Sequence, residues 1–153
     1  MRKMYPNPDW KYGGFEELVL DCGRTMQPDE NSSSEQGRPK SCYWNCQQLV
    51  SKRPELIYCE GYALTEDVGF LIAHAWLLNS EGKVLEPTWE SPGEAYWGVA
   101  FSYEWVQSLL SQRRQRGRDN ELSVFESNYL EKYSLLKEGL PPDAYYSKFL
   151  KIS

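Results

Sequence analysis

Apolar positions recur along the chain with two different periods, and each period predicts one type of element. Over residues 42–52 the apolar residues are three to four positions apart, Ser41 is a candidate N-cap, and Pro54 follows the end. This spacing predicts a helix, because residues three and four apart share one face of a helix. A second helix is predicted over residues 103–114.

Short apolar runs bounded by turn residues predict strands. The segment NSEGK at residues 79–83 has the composition of a hairpin loop, so we expect the strands on either side of it to pair antiparallel. The predicted strands cover residues 15–22, 56–63, 72–78, 84–88 and 96–101.

Both ends of the chain predict less regular structure. Residues 1–14 are rich in Pro, Gly and aromatic side chains and predict an irregular arm, while the polar residues 23–41 predict a mobile loop. Residues 118–153 have loosely helical spacing before a Pro-Pro break, which predicts a helical C-terminal wrap. The order of elements favours a single α+β domain over residues 1–153, with the first helix packed on an antiparallel sheet.

Composition and charge exclude several classes of protein. Hydrophobic residues make up 41% and aromatic residues 14% of the 153 residues, which is typical of a folded chain. The 17 basic and 22 acidic residues give a net charge of −5, which disfavours nucleic-acid binding. No apolar run is long enough for a membrane span or a signal peptide, so we expect a cytoplasmic protein without a membrane partner and with reduced cysteines.

Three residues have the spacing of a nucleophilic site. Cys42 begins the first predicted helix, where the helix dipole lowers the pKa of a thiol and favours the thiolate. His74 is the single histidine and lies on a predicted strand. If the 79–83 hairpin pairs positions whose numbers sum to about 160, Glu86 lies opposite His74 on one sheet face, toward the helix of Cys42. A thiol, a base and an orienting carboxylate make a catalytic unit.

The motifs around these residues resemble the transglutaminase-like superfamily, in particular small uncharacterised phage and bacterial members. The segments that carry the resemblance lie within residues 38–101 and are CYWNC, YCEGYA, HAWL, EPTW and YWGVAF. The family has a papain-type Cys/His/Asp triad on an α+β fold and acts through a thioester. The resemblance implies the same roles for Cys42, His74 and Glu86, although Glu86 stands where the family has Asp.

These residues predict an acyl transferase or amide hydrolase, which means a transglutaminase, a deamidase or a protease. We expect the Cys42 thiolate to attack a carboxamide or peptide carbonyl. The backbone N–H of Cys42, with Asn45 or Trp44, is the candidate oxyanion hole, and Trp76 is a candidate substrate-binding residue. The expected partner is a protein or peptide substrate, and the chemistry requires no cofactor and no metal. The sequence does not distinguish water from an amine as the acyl acceptor, and it leaves the oligomeric state open.

Other functions remain open at this stage. A catalytically inactive, protein-binding version of the fold is favoured by Glu86 and by the unexplained residues 118–153. If Glu86 is not the orienting group, Glu60 and Asp67 are the next candidates. The basic segment RRQRGR at 113–118 is most simply a solvated helix end. Cys46 is most simply a core residue, and a weaker alternative is a zinc site built from Cys42, Cys46, Cys59 and His74.

Overall fold

The chain folds as an α+β structure with a curled antiparallel sheet. The computed structural model describes residues 9–29, 37–65 and 69–146, and within them the five strands lie in the order β1-β5-β2-β3-β4. The strands are β1 (Arg24–Met26), β2 (Ile57–Leu64), β3 (Leu71–Leu78), β4 (Val84–Leu85) and β5 (Ala95–Phe101). The α-helices are α1 (Phe15–Cys22), α2 (Cys42–Lys52), α3 (Tyr103–Gln115) and α4 (Ser134–Glu138).

The two faces of the sheet carry two separate cores. The first core lies between the sheet and all four helices and includes Val19, Val50, Ala75, Leu77, Val106 and Leu136. The second core lies on the opposite face, under loops instead of helices, and includes Met26, Cys59, Trp76, Leu78 and Tyr96. Because side chains alternate along a strand, neighbouring residues of β3 belong to different cores.

The central elements confirm the sequence predictions. α2 begins at Cys42 and ends at Lys52, as the apolar spacing indicates, although the Ser41 side chain makes no capping hydrogen bond. β2, β3 and β5 each lie within one residue of the predicted bounds, and α3 is one residue longer than predicted. The 79–83 hairpin closes with a hydrogen bond from the Asn79 N–H to the Lys83 carbonyl.

The predicted first strand at residues 15–22 is wrong, because the segment is helix α1. Its apolar residues Phe15, Leu18, Val19 and Cys22 recur three and four positions apart, and Leu18 and Val19 enter the first core. The run is apolar enough for a strand, but its period is that of a helix.

Two further bounds need correction. Residues 24–26, predicted as loop, form β1 and pair with β5, whereas residues 30–36 of the same predicted loop lie outside the described residues. The strand predicted over 84–88 ends at Leu85, because Pro87 lacks an N–H and the N–H groups of Thr88 and Trp89 turn back to the Glu86 carboxylate.

The described part of the C-terminal wrap closes the first core. It has two 3₁₀ helices, Asn128–Glu131 and Pro142–Ala144, on either side of α4. Glu60 on β2 holds the first residues of this C-terminal wrap in place. Its buried carboxylate accepts hydrogen bonds from the Ser123 hydroxyl and from the Val124 and Phe125 N–H groups.

The basic segment 113–118 is predicted to be a solvated helix end. For Arg113 this prediction is wrong, because its side chain is buried. This side chain forms a two-point ion pair with Glu131, at 3.0 Å from Nε and 2.7 Å from the terminal nitrogen. The guanidinium also donates to backbone carbonyls of Glu121, Ser123 and Val124. Arg113 therefore fastens the wrap to α3.

No helix among the described residues is long and apolar enough to cross a membrane.

Candidate functional site

The N-terminus of α2 lies against the edge of the sheet and brings Cys42 to strand β3. β4 pairs with β3 only at Leu77 and Leu78, so α2 reaches the edge where β4 has ended. The Cys42 thiol is half-buried, and the backbone N–H of Ala75 is hydrogen-bonded to it. Cys42 therefore lies beside the main chain of the residue that follows His74.

The resting thiol is protonated, which corrects the expectation of a lowered pKa. Burial is the largest effect and raises the pKa of Cys42 to about 12, and the carboxylates of Glu60, Glu86 and Glu126 raise it further. The Ala75 N–H opposes this shift only in part. A nucleophilic Cys42 thus needs a base that takes its proton during the reaction.

His74 and Glu86 form the closest buried pair of a base and an acid at this edge. Nε2 of His74 is 2.9 Å from one carboxylate oxygen of Glu86 and 3.1 Å from the other. Both residues are less than 5% exposed. A carboxylate on one ring nitrogen of a histidine favours one tautomer and one orientation of the imidazole.

Several groups hold the Glu86 carboxylate in place. It accepts hydrogen bonds from the N–H groups of Thr88 and Trp89 at 3.2 Å and from the Tyr96 hydroxyl at 2.8 Å. Burial, and then the charge of Glu86, raises the pKa of Tyr96, so its hydroxyl stays a donor. Glu86 therefore cannot swing away from His74 without losing these three bonds.

Trp89 covers the imidazole. The rings of His74 and Trp89 are stacked with centroids 3.8 Å apart and an angle of 11° between their planes. This contact fixes the plane of the imidazole, and the hydrogen bond to Glu86 fixes its rotation within that plane. Trp89 and Tyr96 were not predicted as site residues, although Trp89 lies in the same EPTW segment as Glu86.

The sheet face of the His74–Glu86 pair differs from the predicted one. His74 stacks on Trp89 and lies next to Trp76 of the second core, whereas α2 packs on the first core. Within the described residues both hydrogen bonds of the His74 ring go to Glu86, and none goes to the Cys42 thiol. The pair and the thiol therefore approach the same edge of β3 from two sides.

The predicted oxyanion and substrate residues have other partners. Both N–H groups of the Asn45 amide are used, one by the Arg38 carbonyl and one by Thr88 Oγ1, so Asn45 joins two loops and is not a free donor. Trp44 lies under the Arg38 guanidinium, 3.7 Å from its ring centroid. Trp76 is fully buried and donates to Met26 Sδ, so its predicted contact with substrate is wrong.

The remaining candidates are core or structural residues. Cys46 and Cys59 are fully buried, and burial raises the pKa of each thiol well above its ordinary value. Among the described residues, which include the whole predicted zinc set, no three metal-binding side chains lie close enough together to hold an ion. Glu60 is occupied by the C-terminal wrap, and Asp67 lies outside the described residues.

Two cavities open on either side of the edge of β3. One, of about 310 Å³, contacts Ala73 and Tyr43, the residue after Cys42. The other, of about 810 Å³, contacts Ile72 and Trp89, the residue stacked on His74. Cys42, His74 and Glu86 do not line either cavity themselves; Tyr43 lines one, and Trp89 lines the other.

The raised pKa predicts how Cys42 reacts with alkylating agents. Only the thiolate reacts, and the thiolate fraction rises about tenfold per pH unit at any pH well below the pKa of about 12. The alkylation rate at Cys42 should therefore rise about tenfold per pH unit between pH 7 and pH 10. Mass spectrometric mapping after brief iodoacetamide treatment measures this rate, and Cys42→Ser identifies the signal. A rate that is equal at pH 6 and pH 8 would show instead a thiolate already formed at rest.

No protein-family model, curated protein or solved structure matches this chain.

Proposed function

We propose that the chain is a cysteine-dependent acyl transferase or amide hydrolase that acts through a thioester on a carboxamide or peptide substrate. The observation that carries this proposal is the buried His74–Glu86 pair beside the edge of β3, where the Cys42 thiol meets the Ala75 N–H. A protein uses such a pair to accept a proton and to stabilise the resulting imidazolium. The resemblance to transglutaminase-like proteins supports the same assignment.

The reaction begins with the Cys42 thiol in its protonated form, because burial raises its pKa to about 12. Glu86 holds Nε2 of His74 as the N–H donor, so Nδ1 is the nitrogen that accepts the thiol proton. The Cys42 sulfur forms a bond to the substrate carbonyl carbon as this proton moves. The imidazolium then protonates the leaving nitrogen, the C–N bond breaks, and ammonia or an amine departs from the thioester. Water or a second amine releases the acyl group. The proton transfer from the thiol requires Nδ1 of His74 and the Cys42 sulfur to be within hydrogen-bond reach in the substrate complex.

Trapping of the acyl-enzyme tests this proposal. We expect an excess of a glutamine-containing peptide, followed by an acid quench, to give a protein whose mass rises by the peptide minus ammonia. Peptide mapping should place the adduct on Cys42, with a matching amount of ammonia released. Cys22→Ala, a change at another half-buried thiol, should retain the adduct, whereas Cys42→Ala should lose it. Absence of adduct, ammonia and cleavage across glutamine, asparagine and peptide-bond substrates would refute the proposal.

A second candidate function is an inactive, peptide-binding version of the same site. The observation that favours it is the Cys42 thiol itself, whose pKa burial raises to about 12 and which makes no hydrogen bond to His74 in the described residues. Peptides that bind at the edge of β3 without loss of ammonia and without cleavage would support this function.

A further inference from the structure

Among the described residues, no strand pairs with the backbone edge of β3 on the N-terminal side of Ala75, next to Cys42. The N–H of Asn79 donates to the Lys83 carbonyl across the hairpin, so this backbone group points toward β4. Because backbone groups alternate in direction along a strand, the N–H and C=O groups of the odd-numbered residues of β3 all point to this side, away from β2. At Leu77 these groups meet β4, and at Ala75 the N–H meets the Cys42 thiol. No strand within the described ranges pairs with Ala73 from that side. An added strand would find its hydrogen-bonding partners there.

The two cavities lie on opposite faces of this edge. Ala73 faces the smaller cavity and Ile72 faces the larger one. Successive side chains of an extended peptide also point to opposite faces. A peptide paired with β3 would therefore place alternate side chains in the two cavities while its main chain passes Cys42.

The smaller cavity has the chemistry of a cation site. We call it the aromatic cavity, and its walls include Phe15, Glu16, Tyr43, Tyr62, Phe125 and Glu126. None of the described residues that line it is a Lys or an Arg. Ammonium and guanidinium groups are attracted both to aromatic faces and to carboxylates.

The potential inside the aromatic cavity is negative. Glu126 accepts a 2.8 Å hydrogen bond from the Tyr43 hydroxyl at its wall. Burial, followed by the charges of Glu60 and Glu126, raises the pKa of Tyr43. The pKa of Tyr62 rises through burial and then through Glu16 and Glu126. The same charges that disfavour a phenolate favour a bound cation.

We propose that an extended peptide adds to the edge of β3 as a further strand and places a lysine or arginine side chain in the aromatic cavity. This inference rests on the proposed function, because it assumes that the peptide carbonyl which reacts lies at Cys42. Cys42 lies against Ala75, and the aromatic cavity lies against Ala73. The cationic residue is therefore two positions, or about 7 Å along the strand, from the residue that reacts.

Binding to Cys42→Ala tests the proposal without turnover. The probes are fluorescein-labelled nonapeptides of alanine with a central glutamine and with lysine, arginine or norleucine two positions before or after it. Fluorescence anisotropy at low salt should show about tenfold tighter binding for lysine or arginine than for norleucine, at one of the two positions. N-methylation of the backbone amides near that position should weaken binding of the lysine peptide, because it removes donors needed for strand addition.

Two matched variants assign the preference to the aromatic cavity. Glu126→Gln, made in the Cys42→Ala protein, should remove most of the difference between lysine and norleucine. Glu94→Gln, which changes a carboxylate at the other cavity, should leave the difference unchanged. Equal binding of the lysine and norleucine peptides, or a preference that survives Glu126→Gln, overturns the inference.

The outcomes for this inference and for the proposed function are separable. A lysine preference in binding, with no acyl-enzyme in the wild-type protein, would refute the catalytic proposal and retain the peptide site. Turnover of glutamine peptides without a lysine or arginine preference would retain the catalytic proposal and refute the cation site.

Discussion

Replacing His74 with glutamine is expected to lower kcat/KM for a carboxamide peptide by about 10⁴-fold or more. Glutamine is similar in size and its amide N–H can still reach the Glu86 carboxylate, so the buried site keeps a hydrogen bond. What is lost is a group that accepts the Cys42 proton and returns it to the leaving nitrogen. Ammonia release measures the effect, and thermal unfolding followed by circular dichroism checks that the variant is folded.

Glu86 variants provide the control for this result. Glu86→Gln should also reduce turnover strongly, because an amide cannot stabilise the imidazolium as a carboxylate does. The double variant with His74→Gln should be little worse than His74→Gln alone, since groups that act as one unit are not additive. Glu86→Asp, which restores the residue of the resembled family, should retain much more activity than Glu86→Gln. Full activity in folded His74→Gln would refute the role of His74.

Replacing Arg113 with methionine is expected to lower the free energy of unfolding by about 3–5 kcal/mol. The change removes both bonds to Glu131 and leaves the backbone carbonyls of Glu121, Ser123 and Val124 without this donor. Methionine fills most of the volume, so the loss comes from these unpaired polar groups more than from a cavity. Urea unfolding followed by tryptophan fluorescence measures the difference.

Arg114 is the matched control for Arg113. It is the next residue of α3 but is exposed, so Arg114→Met should change the free energy of unfolding by less than about 0.5 kcal/mol. Adding Glu131→Leu to Arg113→Met should recover part of the lost stability, because it removes the carboxylate left without its partner. Equal stability of Arg113→Met and the wild-type protein would show that the ion pair contributes nothing.

The sequence predicts correctly the elements in which the spacing of apolar residues agrees with the turn and helix-ending residues on either side. α2 has helical spacing and a proline after its end, and the NSEGK loop lies between two apolar runs. α1 was mistaken for a strand because its eight residues contain a compact apolar run, Leu18 to Leu20, within a helical period. β4 was predicted too long, because the turn after it depends on a side chain that folds back on its own backbone.

The site also has contacts that the sequence predicts and contacts that it does not. The predicted register is wrong, because the hairpin pairs Leu77 with Leu85, two residues from the predicted partner. His74 and Glu86 still meet through their side chains, since the chain leaves the strand after Leu85. Trp89 and Tyr96 could not be assigned in advance, since their contacts depend on how a loop and a distant strand meet the imidazole.

The hydrogen bonds of Glu60 join parts of the chain that are far apart in sequence. Glu60 is on the central strand and accepts one hydrogen bond from the nearby Tyr58 hydroxyl, whereas its other three donors are more than sixty residues later in the chain. Tyr12 likewise donates its N–H to the Leu136 carbonyl, which joins segments from opposite ends of the described chain. Such distant contacts slow folding, because loop closure must precede them. A nascent chain that stops before residue 123 would lack three of the four donors to Glu60 and the part of the first core that residues 124–144 supply, and exposed apolar surface of this kind favours aggregation.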